Sequence, residues 1–142
     1  MEIVKKKPSS KGAPDRFIGD VWIDRLAGTQ PNEHIRVNVV RFAPGARNGW
    51  HAHALGQTLH VTEGIGRVQA AGKEIQEIRA GDTIYTAPGE WHWHGAAPDH
   101  FMAHLAIWEA PAEGPESEWG DLVGDEEYRQ AIRAPADPPA GA

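Results

Sequence analysis

Glycine and proline interrupt this chain repeatedly, 16 of one and 11 of the other in 142 positions, and the apolar stretches between them are too short for long helices. Such punctuation favours short strands joined by turns. Residues 35–42 are rich in Val and Ile with polar residues between them, and residues 58–62 alternate polar and apolar, the period of a strand with one buried face. Residues 67–70 and 74–78 flank Ala71-Gly72-Lys73, a connection short enough for a hairpin. Residues 83–86 and 101–108 supply two more strands, separated by a loop of Pro, Gly, Trp and His. One segment, 125–133, reads as helix, because Asp125, Glu126 and Glu127 suit a first turn and Tyr128 and Ile132 are spaced for one apolar contact. Six or more short strands with one terminal helix predict an all-β sandwich or barrel.

Hydrophobic residues make up 40% of the chain and charged ones 24%, enough for one domain with a core of its own. The expected boundaries are a flexible arm at residues 1–14, which carries four lysines, a domain at 15–133, and a disordered tail at 134–142 built from Ala, Pro, Gly and one Asp. No apolar run approaches the roughly 18 residues of a membrane span, and the Lys-rich start lacks the apolar segment of a signal peptide. The chain is therefore expected to be soluble and cytoplasmic, with no membrane partner. A net charge of -6 repels phosphate backbones, which argues against nucleic acid. Cysteine is absent, so disulfides, thiolate nucleophiles, iron–sulfur clusters and Cys-ligated zinc are excluded. Any metal must sit on His, carboxylate or amide ligands.

Seven of the eight histidines fall between His51 and His104, and four of them form the His-x-His pairs His51/His53 and His92/His94. In an extended segment, residues two apart project to the same side, so one such pair can offer two imidazoles to one ion. Neutral imidazole suits several first-row metals. The histidines also lie in a longer pattern. Gly45, His51, His53, Gln57 and Gly64 are followed by Gly81, Gly89 and His92 at spacings that resemble the two motifs of the cupin superfamily, with Gln57 where glutamate is usual. Two departures are visible: the proline of the second motif is displaced by one, to Pro88, and Ala96 stands where an asparagine is frequent. The resemblance implies a small jelly-roll (cupin) β-barrel with a short C-terminal helix, its mouth holding a metal on His51, His53, Gln57 and His92.

Strand parity sorts the remaining histidines. Gln57, Leu59 and Val61 share a face, which turns His60 to the other side, while His34 and His100 sit in turn-like stretches expected to be exposed. Met102, His104, Ala106 and Trp108 form one face of the last strand, the face expected to line a cavity. Phe101, Ala103, Leu105 and Ile107 form the other, an apolar face suited to packing and to covering by a second copy, so a homodimer is expected. Trp50, Trp91 and Trp93 are read as packing or interface residues in preference to lining a mouth.

A set of three neutral imidazoles and an amide leaves a divalent ion with its whole charge, which strengthens it as a Lewis acid and keeps neighbouring unligated imidazoles neutral. Pro44-Gly45-Ala46-Arg47, Leu55-Gly56-Gln57-Thr58-Leu59, His92-Trp93-His94-Gly95 and His104-Leu105-Ala106-Ile107, with Trp119 and residues 125–129 beyond, further resemble the small bacterial manganese-dependent cupin hydroxynitrile lyases. That resemblance implies cleavage or formation of a cyanohydrin, with Mn(II) as cofactor, the ligands also admitting Fe(II), Ni(II) or Zn(II). It places His94 and His104 beside the substrate as candidate general bases. Asn38, Val40 and Trp108 are the candidate pocket residues, Trp108 standing where that group has glutamine. Cupin scaffolds host many chemistries. A metal-dependent dioxygenase or oxidoreductase of a small organic substrate, and a non-catalytic metal or small-molecule binding module, remain open beside the lyase.

Overall fold

The computed structural model describes residues 1–132, so the tail at 134–142 and the last residue of the expected helix lie outside it. In chain order the strands are β1 (Ser10–Lys11), β2 (Phe17–Ile18), β3 (Val21–Ala27), β4 (Ile35–Phe42), β5 (Arg47–Asn48), β6 (His51–His53), β7 (Gln57–Ala70), β8 (Gln76–Arg79), β9 (Thr83–Thr86), β10 (His92–Ala96), β11 (Met102–Glu109) and β12 (Ser117–Trp119), followed by the helix α1 (Asp125–Tyr128). They pair in the order β1-β3-β4-β11-β7-β10-β5-β2, with β8 and β9 attached to β7 and β6 lying between β10 and β12. The curled sheet is the predicted all-β jelly-roll barrel with one short helix near its end. No helix among the described residues is long and apolar enough to cross a membrane.

The barrel closes through β7. Residues 58–62 and 67–70, expected as two strands, are one strand from Gln57 to Ala70. Its first half pairs with β11 and β9, its second with β10 and β8. The bend between them falls at Gly64, whose φ of 80° is left-handed and where a Cβ would run into the Phe101 carbonyl. A bulge where β11 skips from Glu63 to Val61 adds to the twist. The hairpin after β7 is looser than the three-residue connection expected: β8 begins at Gln76, opposite Val68, because Ile75 leaves the ladder to bury itself beside Trp93.

The interior of the barrel holds Val21, Phe42, Leu59, Val61 and Met102, all at most 1% exposed. A second cluster on the outside of β10 joins Ile75, Trp93, Val123 and Tyr128. That cluster explains the helix, which ends after four residues instead of running to residue 133. A single turn has little stability of its own; it is held by Tyr128, whose hydroxyl donates to the Ala96 carbonyl at 2.5 Å and whose ring lies 4.4 Å from the Arg47 guanidinium. Arg47 in turn donates from Nε and Nη2 to the Val123 carbonyl and meets Asp125.

β2, β5 and β12 are too short to show an alternation, and β3, though seven residues long, buries Val21 and Asp24, three apart, instead of every second residue. The stretch expected as a loop before β11 also holds β10, since His92 to Ala96 pairs residue by residue with Ala70 to Gly66. The N-terminal arm is exposed, yet it is joined to the barrel: Ser10 and Lys11 pair with Ile23 and Trp22, and the Ser9 hydroxyl donates to Asp24.

Candidate metal centre

β6 is only three residues long, and its neighbours fix it from both sides. His51 is opposite His92 of β10 and Trp119 of β12, and His53 is opposite Ser117. The parity of β6 sends both imidazoles inward, and β10 brings His92 to meet them. The ligand atoms of His51, His53 and His92 lie within 4.8 Å of one another, and all three residues are buried. Gln57, the first residue of β7 and on the same buried face as Leu59 and Val61, places its amide oxygen 3.0 Å from His92 Nε2.

Backbone carbonyls fix the proton positions on two of the rings. His51 Nδ1 lies 2.8 Å from the Gly49 carbonyl and His92 Nδ1 2.9 Å from that of Glu90, so each neutral ring donates from Nδ1 and keeps its lone pair on Nε2. Neutrality itself follows from burial, which pushes His51 well below its usual range, lowers His92, and with the neighbouring His92 takes His53 from 6.5 to about 4. These are ligand-competent imidazoles at pH 7. The arrangement also leaves a polar debt: with its proton on Nδ1, His92 turns a lone pair on Nε2 toward the Gln57 oxygen, and His53 Nδ1 is buried without a hydrogen-bond partner among the described residues. Either the amide turns to donate, or a cation takes both lone pairs. The donor set therefore fits a first-row divalent ion.

Beside this group stands a different pair. His94 and His104 are 3% and 0% exposed, and His94 Nδ1 is 2.9 Å from His104 Nε2. Burial, reinforced by the other histidines, holds His94 far below its usual range, and burial alone takes His104 to about 4. Asn48 clamps His94: its side-chain oxygen accepts from the His94 backbone N–H at 2.9 Å, and its amide nitrogen lies 3.2 Å from both ring nitrogens.

A cavity of about 550 Å³ opens onto these groups. His51, His53, Gln57 and His94 contribute to its wall, whereas His104 lies behind His94 and does not reach it. Asn38, Val40 and Trp108 line it too, since the inward faces of β4 and β11 carry them in adjoining rows, Asn38 opposite Ala106 and Val40 opposite His104. Trp108 lies 5.3 Å from the His53 ring and donates from Nε1 to Glu116 at 3.0 Å. Phe17, Asn48, Glu116 and Trp119 also line the cavity, with charged residues of the mouth beyond them, and were not among the expected pocket residues. Trp119 stacks on His51 at 4.5 Å with planes 16° apart. The remaining tryptophans lie elsewhere: Trp93 is in the outer cluster, Trp50 donates to Glu127, Trp91 shares an outer recess with Trp50, and Trp22 is exposed. His60 meets Thr83 away from the cavity, and His34 and His100 are exposed.

The chain is similar to known proteins. A protein of Granulicella tundricola named (R)-mandelonitrile lyase is 46% identical over 132 residues, which cover 92% of this chain and all of that one. A crystal structure of a cupin-like protein from Thermotoga maritima superposes with a TM-score of 0.82 at 39% identity, covering 95% of this chain and all of the other. A polyketide cyclase of Streptomyces resistomycificus shares the fold alone, with a TM-score of 0.68 at 19% identity over 90% of each chain. The family profile described as Cupin domain matches residues 38–108, the span that carries every expected ligand, and with a full-length relative at this identity the chain belongs to the cupin family.

Proposed function

We propose that the protein is a metal-dependent cupin lyase that cleaves and forms cyanohydrins, interconverting a hydroxynitrile with an aldehyde and hydrogen cyanide. One observation carries the reading: a neutral, buried imidazole, His94, faces the same cavity as the metal-competent group, its ring 5.2 Å from that of His51. The likeness to the named mandelonitrile lyase supports it. His51, His53, Gln57 and His92 would hold one divalent ion, manganese by the resemblance of the sequence motifs to the manganese-dependent cupin hydroxynitrile lyases, and the ion would supply Lewis-acid stabilisation of the negative charge that develops at the reacting end of the substrate.

The chain's own residues account for the proton. With Nδ1 turned to His104, the atom of His94 left to act as base is Nε2; it lies 3.2 Å from the Asn48 amide nitrogen, and it takes the hydroxyl proton of the cyanohydrin once the substrate replaces that contact. The electron pair left on oxygen forms the carbonyl, the carbon–carbon bond breaks with its pair leaving on cyanide, and His94 Nε2–H returns the proton to give hydrogen cyanide. His104 acts through His94. By accepting from Nδ1–H at its own Nε2, it selects the tautomer that keeps the lone pair of His94 on Nε2 and shares the charge once His94 is protonated, its own proton then resting on Nδ1, which has no partner among the described residues. Asn48 holds the ring in place, and Trp108, Trp119 and Phe17 exclude water around the substrate.

Purified protein is expected to carry about one first-row metal per chain and to release cyanide from mandelonitrile without consuming oxygen. Oxygen uptake that depends on substrate would support the oxidoreductase instead, and metal binding with neither activity would leave a binding module. We also propose a homodimer through the outer face of β4 and β11, where Ile35 and Phe101 are 49% and 47% exposed and Leu105 and Ile107 are half-buried. A monomer mass by light scattering at micromolar concentration would rule that out.

A further inference from the structure

The mouth of the cavity is basic, although the chain as a whole carries a charge of -6. Lys7 from the N-terminal arm, Arg16 from the turn before β2 and Arg25 from β3 all line it. Elsewhere Arg36, Arg41, Arg47, Arg79 and Lys11 each meet an Asp or Glu, whereas Lys5, Lys6, Lys73, Arg67 and Arg129, which also lack such a partner among the described residues, do not line the cavity. Among the described residues Lys7, Arg16 and Arg25 have no carboxylate at ion-pairing distance.

Glu116 is the one acid among the described lining residues, and it is already committed. One oxygen accepts from Arg36 at 2.8 Å and the other from Trp108 at 3.0 Å. Three positive charges thus share the rim with this one acid, which Arg25 also attracts without an ion pair, so the mouth keeps a net positive charge whose field a low-dielectric wall focuses inward. Arg16 is held in place by lying 4.9 Å over the Trp119 ring. Lys7 is brought to the mouth by the pairing of β1 with β3. Arg25 is opposite Asn38, whose side-chain oxygen is buried without a partner among the described residues, so a cation and an unmet acceptor follow one another from the mouth inward.

We propose that the cavity takes a small substrate with a carboxylate at one end, seated against Arg25 and Arg16 with Lys7 above it and its apolar body lying along Phe17, Trp108 and Trp119. A planar carboxylate suits the guanidinium fork, and such charge-assisted bonds are about twice as strong as neutral ones. The other end of the substrate then reaches His94. Only that reacting end rests on the lyase reading; the anionic end stands on the rim charges.

Calorimetric titration of the full-length protein with benzaldehyde and with 4-formylbenzoate tests this. The carboxylate is expected to bind at least about tenfold tighter, with the advantage shrinking as salt rises. In the double variant Arg16→Gln/Arg25→Gln, whose exposed positions tolerate the change, the ratio should fall below about twofold while metal content stays at the parent value. Equal affinity of the two probes, or no binding of the carboxylate, overturns the proposal. So does a preference that survives in the double variant, because the anion would then sit on the metal ligands. Cyanide release is assayed separately with neutral mandelonitrile: its absence overturns the lyase and leaves the binding ratio to judge the rim.

Discussion

The triad of His51, His53 and His92 and the pair of His94 and His104 are built from the same side chain, in the same barrel, and all five are buried and held neutral by that burial. What separates His51 and His92 from His94 is where Nδ1 points, since the Nδ1 of His53 and of His104 has no partner among the described residues. In the triad, His51 and His92 aim Nδ1 at backbone carbonyls and leave Nε2 free beside a third ring. In the pair, His94 aims Nδ1 at another imidazole, which can accept a proton or share one. A carbonyl partner locks a tautomer and makes a ligand, whereas an imidazole partner leaves the proton movable and makes a base. The neighbour, more than the histidine, decides the chemistry.

Breaking the triad should have the largest effect. His51→Ala with His53→Ala is expected to lose the metal and to reduce cyanide release by about three orders of magnitude or more, the scale of several kcal/mol of charge stabilisation. Metal analysis beside the rate decides it, since full metal retention in that variant would refute the site. Breaking the pair should spare the metal. His94→Ala is expected to keep it and slow turnover by about 10² to 10⁴-fold, the usual contribution of a general base. His104→Phe, acting only through His94, should cost less, and it should move the pH dependence of kcat because His94 no longer has an acceptor at Nδ1. Equal losses of rate in the two variants, with unchanged pH profiles, would remove the distinction between them.

The two groups were unequally legible in the sequence. Part of the triad announces itself locally: alternation puts His51 and His53 on one side, and the same period carries Gln57, Leu59 and Val61 inward while turning His60 out, whereas His92 entered only through the family motif. The pair does not. Parity sends both His94 and His104 to inner faces, but depth along a strand depends on what packs at either end, so only the fold shows that His94 reaches the cavity and His104 lies behind it. Gly64 misleads for a related reason. It reads as the end of a strand, yet it is the bend of a longer one, required by the approach of the Phe101 carbonyl from a distant segment. Trp119 was placed in a likeness but not in the pocket, because residues 117–119 are too few to show a period.

Charge offers a finer way to sharpen the contrast. Gln57→Glu keeps an oxygen donor at the same place but cancels one unit of the ion's charge. The variant should bind metal more tightly and turn over more slowly, by about tenfold, because the weakened Lewis acid stabilises developing charge less well. The effect on the pair is indirect, through a smaller positive field at His94, and should appear as a modest rise in the pH at which kcat falls on the acid side. A rate unchanged or raised by Gln57→Glu would mean that the neutral amide plays no part in the strength of the centre.

Acid stability gives the smallest and most general separation. His53 and His104 titrate near 4 in the folded protein and near 6.5 when unfolded, so between those values the unfolded chain binds more protons and stability falls as pH falls. Above about 6.5 both groups are neutral in both states and add no slope; below about 4 the folded state takes the protons too and the slope ends. For the chelator-treated protein, the urea midpoint should therefore decline between pH 6.5 and 4 and be flat just above. Restoring metal should flatten the part of the decline that belongs to the triad, since a bound ion must be displaced before those rings can protonate. His104→Phe should remove the share of His104, with or without metal, and leave that of His94, which burial also holds well below its usual range. A decline that metal abolishes altogether would assign the whole slope to the triad and leave the pair without the buried, neutral character on which its role depends.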